Sequence, residues 1–585
     1  MNLSRKSIVV AVVLALVLGF SACTTPKKET TEGEEKASPS LAQKKSENTS
    51  LPEREDSANL SQNAPLPQDS AAQKALATQD EVNVAASAST GQARVERLAA
   101  VASIAPSAPA PLKWNTESYT GLKENTFINA INDPLSTFAI DVDTASYANI
   151  RRFITQNTLP PVDAIRLEEM VNYFTYNYPQ PPADASLAIY TEAGPSPFHI
   201  CYSLVKIGIQ AKDLAAEKLP PSNLVFLVDV SGSMQSPDKL PLLQKAMKML
   251  TEQLGAKDRI AIVTYAGSSG ILLEPTRADQ KDKIMNAIES LRAGGSTNGA
   301  GGIVSAYELA EKVYIPEGNN RVILASDGDF NVGTTSKGEL EKLIAGKRDN
   351  GIYLTVLGFG TGNYHDDTME VMADKGNGNY AYIDSLLEAK KVLVKEMGAT
   401  LFTVASDVKI QVEFNPTQVG AYRLIGYENR ALADEDFHND KKDAGEIGAG
   451  HTVTALYEII PAGHKDVPKV STLKYQKTAA SSKAEDAELL TVKLRYKNPG
   501  ETHGHEISQT VREAGKPMQA MSDDFRFAAA VAGYGMLLEH SEYLGEFTWN
   551  ECIRMIQNAK GKDANGYRAE LLRLVELSDL LAHGK

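Results

Sequence analysis

Cysteine is scarce in this chain: 585 residues hold 3, Cys23, Cys201 and Cys552, too few for a disulfide framework to define a fold. Tryptophan is nearly absent, with 2 in the whole chain, and no aromatic residue stands between Phe20 and Trp114. The stretch from Thr24 to about Leu112 is instead Ser, Ala, Gln, Pro, Lys and Glu. It lacks the apolar surface to offset its ordering entropy and reads as a disordered tether. As a flexible coil of roughly 90 residues, such a tether spans on the order of 50 Å. Basic charge is in deficit: 60 Lys+Arg against 74 Asp+Glu leaves −14, which argues against nucleic acid and suits cation binding. Catalytic signatures are also missing, with no G-x-S-x-G, H-E-x-x-H or G-x-x-x-x-G-K-[ST], so the chain is expected not to be an enzyme.

The N-terminus, "MNLSRKSIVVAVVLALVLGFSAC", has a basic start at Arg5 and Lys6, an apolar run from Ile8 to Phe20, and the small residues Ser21 and Ala22 before Cys23. The run is too short for an ordinary transmembrane helix and reads as an export signal. It resembles the bacterial lipoprotein signal, with Phe20 where that pattern usually has Leu. The resemblance implies cleavage after residue 22, lipidation of Cys23 and attachment to a membrane through that lipid. Plain secretion with a chance cysteine is the alternative. Thr24, in a place where Asp marks retention at the inner membrane, points by the same resemblance to the outer membrane of a Gram-negative cell.

From about Asn223 to Glu396, strands and helices alternate, which predicts a mostly parallel sheet covered on both faces. The strands read as "LVFLVD", "RIAIVTY" from Arg259, "RVILASD" from Arg321 and "IYLTVLGFG" from Ile352. Leu240, Leu243, Met247, Leu250 and Leu254 follow the spacing of one buried helical face, with Asp238 as the expected N-cap and Pro241 in the first turn. "SKGE" from Ser336 to Glu339 is a capping box for a further helix that Gly351 is placed to end.

Within this domain, "DVSGS" places Asp229, Ser231 and Ser233 at a strand end. Thr297 follows in the glycine-rich "AGGSTNGAG", and Asp327 in "ASDGD". Asp229 and Asp327 each sit at the carboxyl end of an expected parallel strand, the edge where doubly wound sheets bind ligands. All these groups offer oxygen, the donor type of a hard cation. Any piece alone is as readily a serine-rich turn or a helix cap. Together they resemble the metal-ion-dependent adhesion site of von Willebrand factor type A domains, over roughly residues 222–398. The resemblance implies Mg²⁺, or another divalent cation such as Mn²⁺ or Ca²⁺, held directly by Ser231, Ser233 and Thr297. It implies that Asp229 and Asp327 act largely through water, or directly in some states, and that an Asp or Glu side chain of a partner protein completes the site. Asp329 and Asn298 are ranked as loop polars.

The flanks differ from the centre. "STFAIDVDTASY" reads as a strand, with helices near Ile150–Ile154 and Arg166–Phe174, and "SLVKIGIQAK" alternates as a half-buried strand would. Asp141 and Asp143 lack the spacing of an EF-hand. Beyond residue 398, "DVKIQVEFNP", "AYRLIGYEN", "HTVTALYEII" and "LLTVKLRYKNP" are the short alternating strands of an antiparallel sandwich. "DDFRFAAAVAGYGMLL" is apolar nearly all round and expected to be buried, and a last helix is expected near Tyr567–Leu581. His503 with His505, and the acidic run Asp434–Glu446, read as solvated loops. The early flank is too poor in strands to stand alone. The two flanks are therefore expected to pair, with the metal domain inserted between them and able to tilt against a rigid base.

The long stretches "DPLSTFAIDVDTASYANIRRFI", "VEFNPTQVGAYRLIGYENR" and "DAGEIGAGHTVTALYEI" resemble a bacterial family of von Willebrand factor type A lipoproteins with an N-terminal associated segment and a C-terminal domain of unknown function. The expected organisation is a signal peptide over 1–22, a tether over 23–115, a flanking segment over 116–221, the type A domain over 222–398, and a β-rich plus helical domain over 399–585. The fold class is α/β: a doubly wound, mostly parallel, Rossmann-like sheet flanked by a β-sandwich-like domain with added helices. The leading expectation is a cell-envelope lipoprotein that binds a partner protein through a divalent cation. A scaffold whose metal site only stabilises the fold, or an uncharacterised hydrolase, are the alternatives.

Overall fold

Strands at the start of the folded chain find their partners near its end, and this sets the architecture. The computed structural model describes residues 117–585 apart from 216–218, 296–298, 329–336, 363, 443, 471–486, 513–514 and 585. In chain order, β1 (Ile128–Asn129), β2 (Leu135–Ala139), β3 (Leu187–Pro195) and β4 (Ser203–Ala211) come first. The central domain follows with β5 (Ser222–Asp229), β6 (Arg259–Tyr265), β7 (Ser269–Arg277), β8 (Asn319–Ser326), β9 (Ile352–Phe359) and β10 (Tyr380–Ile383). The late flank supplies β11 (Thr403–Phe414), β12 (Val419–Ile425), β13 (Gly445–Gly448), β14 (Thr452–Pro461), β15 (Glu488–Lys497) and β16 (His505–Arg512).

The central strands form one 6-stranded sheet in the order β10-β9-β8-β5-β6-β7, parallel except for the edge strand β7. Every residue of β5 is buried, as a strand covered on both faces requires. Leu224, Phe226 and Val228 share a core with Leu243, Met247 and Leu250 of the Leu240–Gln253 helix. Val225 and Leu227 meet Ile303, Ala306 and Tyr307 of the Gly299–Lys312 helix on the opposite face. The strand order reverses beside β5: the chain steps outward through β6 and β7, then returns to lay β8 along the other side of β5. A crevice at the carboxyl ends of β5 and β8 is the consequence.

The helical spacing reads correctly, since Leu240, Leu243, Met247, Leu250 and Leu254 are all buried. The cap does not. Lys239, not Asp238, is the N-cap residue and makes no side-chain capping bond, while the Asp238 carboxylate accepts a hydrogen bond from Ser236. The Lys337–Asp349 helix begins where the capping box places it, although Ser336 itself lies outside the described residues.

Both flanks build the remaining sheets jointly, as expected. One has the order β1-β12-β14-β4-β3, so the late strands β12 and β14 lie side by side between the early strands β1 and β4. In the other, β2 pairs with β11 antiparallel from Ala139↔Lys409 to Leu135↔Glu413, beside β15, β16 and β13. Their inner faces meet around Phe414, stacked on Tyr422 with centroids 3.8 Å apart, and around Tyr457 and Ile410. β4 departs from its half-buried expectation and is buried along its whole length. Val205, Ile207 and Ile209 face the sandwich interior, while Leu204 meets a second core built from the Ala145–Thr155, Leu167–Asn172 and Asp523–Glu539 helices.

Two loop readings are also corrected. The strand expected over "STFAIDVDTASY" stops at Ala139, and Asp141 and Asp143 turn inward towards Arg430, at 3.3 and 3.7 Å. Part of the acidic run is ordered rather than solvated: Phe437 is fully buried, Thr137 donates to Asp434 at 2.7 Å, and β13 opens at Gly445. His503 and His505 lie in an exposed turn and at the exposed start of β16, as expected.

Candidate functional site

The crevice between β5 and β8 gathers four of the side chains singled out by sequence. Asp229 ends β5 and is fully buried. Its Oδ1 accepts the Ser231 backbone N–H at 2.8 Å, closing a turn that brings the chain back over the strand end. Its Oδ2 accepts the Ser326 hydroxyl at 3.1 Å, because the parallel register sets the last residue of β8 beside the last residue of β5. Burial pushes the Asp229 carboxyl up to about 6, the Ser231 and Ser326 hydrogen bonds oppose that rise, and the neighbouring Asp327 charge adds to it. Both of those hydrogen-bond partners are neutral, so an ionised Asp229 is a buried charge that a cation would stabilise.

Ser231 is buried and Ser233 exposed, and their hydroxyl oxygens lie 2.9 Å apart. They make a short ladder of oxygens from the sheet edge to solvent. Asp327, directly after β8, is fully buried, and its Oδ2 accepts a hydrogen bond from Lys239 Nζ at 2.8 Å. The glycine-rich loop is tied to the same place: Gly294 N–H donates to Val230 O at 2.7 Å, and Gly232 N–H donates to Gly295 O at 3.0 Å. Thr297, two residues further on, lies outside the described residues, as do Asn298, Asp329 and the lipidation candidate Cys23.

The donor set is oxygen throughout, with two hydroxyls and two carboxylates, which fits a hard divalent cation. Among the described residues no group of three or more His, Cys, Asp or Glu side chains is arranged to hold a metal, so a cation at this edge depends on the serine hydroxyls. Two residues of the site escape the sequence reading. Ser326 could have been found from its place before Asp327 at a strand end. Lys239 is hidden because the helix start reads naturally with Asp238 as cap.

Three family models match successive parts of the chain. A family model described as "von Willebrand factor type A domain" matches residues 223–396, one described as "von Willebrand factor" matches 113–206, and one described as "Uncharacterized protein YfbK, C-terminal" matches 399–581. The chain is 46% identical over 472 residues to the protein YfbK of Escherichia coli (strain K12), spanning 79% of this chain and 81% of that protein. It is 29% identical over 149 residues to inter-alpha-trypsin inhibitor heavy chain H4 of Bos taurus, a match covering 24% of this chain and 16% of that protein. A solved structure of a von Willebrand factor type A protein from Catenulispora acidiphila aligns with a TM-score of 0.38 at 14% identity, covering 68% of this chain and 91% of that one.

Proposed function

We propose, because this chain belongs to the family of the Escherichia coli protein YfbK and contains a von Willebrand factor type A domain, that it binds a partner protein through a divalent cation held at the β5–β8 edge. The observation that supports this most is the convergence of Asp229, Ser231, Ser233 and Asp327 at the point where strand order reverses. Ser231, Ser233 and Thr297 would hold the cation, with Asp229 and Asp327 behind them. When bound, the cation supplies an electrophilic position that a partner's Asp or Glu carboxylate fills. The chain's own part is to keep the hydroxyls oriented, with Asp229 fixing the turn through Ser231 N–H and Ser326 fixing Asp229 in turn.

An enzymatic role draws no support from these hydroxyls. Ser231 and Ser233 hydrogen-bond each other, and among the described residues no histidine hydrogen-bonds to either hydroxyl. The scaffold reading, in which the cation only stabilises the fold, is separated by partner capture. Immobilised protein incubated with cell-envelope extract and Mg²⁺ is expected to retain a partner that a chelator releases and that Asp229→Ala fails to retain. Equal retention by all three samples would leave the scaffold reading standing instead.

The same proposal places the protein in the cell envelope, probed by fractionation, with Cys23 lipidated and the chain anchored in the outer membrane. The signal anatomy before Cys23 supports this. Cys23→Ser is expected to move the protein from the membrane pellet to a soluble envelope fraction. A variant that stays in the pellet after a salt wash contradicts the anchor.

A further inference from the structure

We infer that Lys239 is a built-in counter-cation of the site: it holds one oxygen of Asp327, loosens the grip on the divalent cation and leaves the loaded site positively charged. The inference rests on the metal reading above. Its Nζ lies 2.8 Å from Asp327 Oδ2, with the two side chains 7% and 0% exposed. As N-cap of the Leu240–Gln253 helix it stands at the positive end of the macrodipole, where an acceptor side chain is favoured and a cation is not, and it makes no capping bond.

The surrounding chain is shaped to seat it. Gly360, just past β9, has a φ of +76°, and a Cβ at that position would fall 2.1 Å from Lys239 Cε and 2.4 Å from Cγ. The lysine stem therefore runs through a groove that exists because residue 360 has no side chain. The wall of that groove is fixed by Tyr382, whose hydroxyl donates to Gly360 O at 2.7 Å. Three separate elements thus converge to place one ammonium on one carboxylate of the site.

Charge gives the consequence. Asp229 and Asp327 alone would present a double negative charge, which a divalent cation would cancel. With Lys239 these three side chains together carry a single negative charge, and together with a divalent cation a single positive one. Such a site binds its cation more weakly and attracts a carboxylate more strongly than the same site without the lysine. The arrangement suits exchangeable capture of an acidic side chain better than a permanent structural ion.

The test is calorimetric titration of Mg²⁺ into the full chain as wild type, Lys239→Met and Lys239→Arg, followed by titration of N-acetylglutamate into each Mg²⁺-saturated protein. Lys239→Met is expected to bind Mg²⁺ tighter by on the order of tenfold and N-acetylglutamate more weakly. Lys239→Arg, which keeps the charge, is expected to stay within a few-fold of wild type. Mg²⁺ affinity equal to or weaker than wild type in Lys239→Met, with wild type binding normally, overturns this inference alone. A wild type that takes no Mg²⁺ overturns the metal reading itself. Failure of Lys239→Met to fold even in saturating Mg²⁺ also counts against the inference, because the divalent cation should then satisfy Asp327.

Discussion

Glu539 carries a carboxyl that its surroundings keep protonated. It lines a cavity with Glu124, Glu428, Glu542 and Tyr543, and its Oε2 is buried with no hydrogen-bond partner among the described residues. Burial first, then the charges of Glu124, Glu428 and Glu168, push it up to about 9 against the opposing charge of Arg423. In the unfolded chain the group titrates near 4.5, so between these values the folded state binds a proton that the unfolded state does not. Its contribution to stability is complete below pH 4.5 and is lost as pH rises towards 9, with a slope of up to about 1.4 kcal/mol per pH unit. Melting temperature is therefore expected to fall from pH 5 to pH 9, and Glu539→Gln should flatten the decline. Parallel slopes for variant and wild type would show that Glu539 is ionised in the folded protein. Residues of this kind were not legible in the sequence, because a glutamate that ends a helix looks like a solvated one. The placement of Asp229, Ser231, Ser233 and Asp327 at two neighbouring strand ends was legible, because strand ends and turns announce themselves by an abrupt change from apolar to polar.

At the scale of elements, the Asp523–Glu539 helix shows how a continuous apolar pattern translates into structure. It is buried nearly all round and packs against Leu167 and Met170 of the early flank. Gly535 permits that approach: a Cβ there would fall 2.2 Å from Leu167 Cδ2 and 2.9 Å from Met170 Sδ. Replacing a helical glycine ordinarily gains up to about 1 kcal/mol of helix propensity. Overpacking costs about 1–3 kcal/mol, and for a β-branched side chain the second term wins. Gly535→Val is expected to lower the urea midpoint without changing the slope of the transition. An unchanged or higher midpoint would mean that the early flank yields at little cost. Elements with strong periodicity were legible, such as β6, found from Arg259 to Tyr265 as read. β7 was missed because its first residues, Ser269 to Leu272, are exposed on an edge strand and show no alternation. The four-residue β10 is too short to carry a pattern, whereas the Trp549–Ala559 helix was missed although Thr548 caps it and Cys552, Met555, Ile556 and Ala559 follow the spacing of one buried face.

Across the whole molecule, the central domain is an insertion in a base that both flanks build, and the flanks also grip it with arginines, of which Arg151 and Arg166 are buried and Arg430 is half-buried. Arg166 of the early flank meets Asp366 at 2.6 Å, Arg151 meets Asp384 and Glu388 at 2.6 Å each, and Arg430 of the late flank meets Asp374 at 2.8 Å. Breaking one partner of a buried pair costs about 3–5 kcal/mol, so these clasps oppose the free tilting that an inserted domain suggests. These contacts tie the central domain to the base beside its β9 and β10 strands. What the sequence could not show was this ionic junction, since arginines and carboxylates far apart along the chain read as separate surface charges.

The central claim is that the β5–β8 edge holds a divalent cation, and isothermal titration of Mg²⁺ into the wild type and Asp229→Ala tests it most directly. Wild type is expected to bind at a single site, with a modest rise in melting temperature that follows ligand concentration, while Asp229→Ala shows no binding heat. Equal Mg²⁺ binding by the two proteins would contradict the assignment of the site.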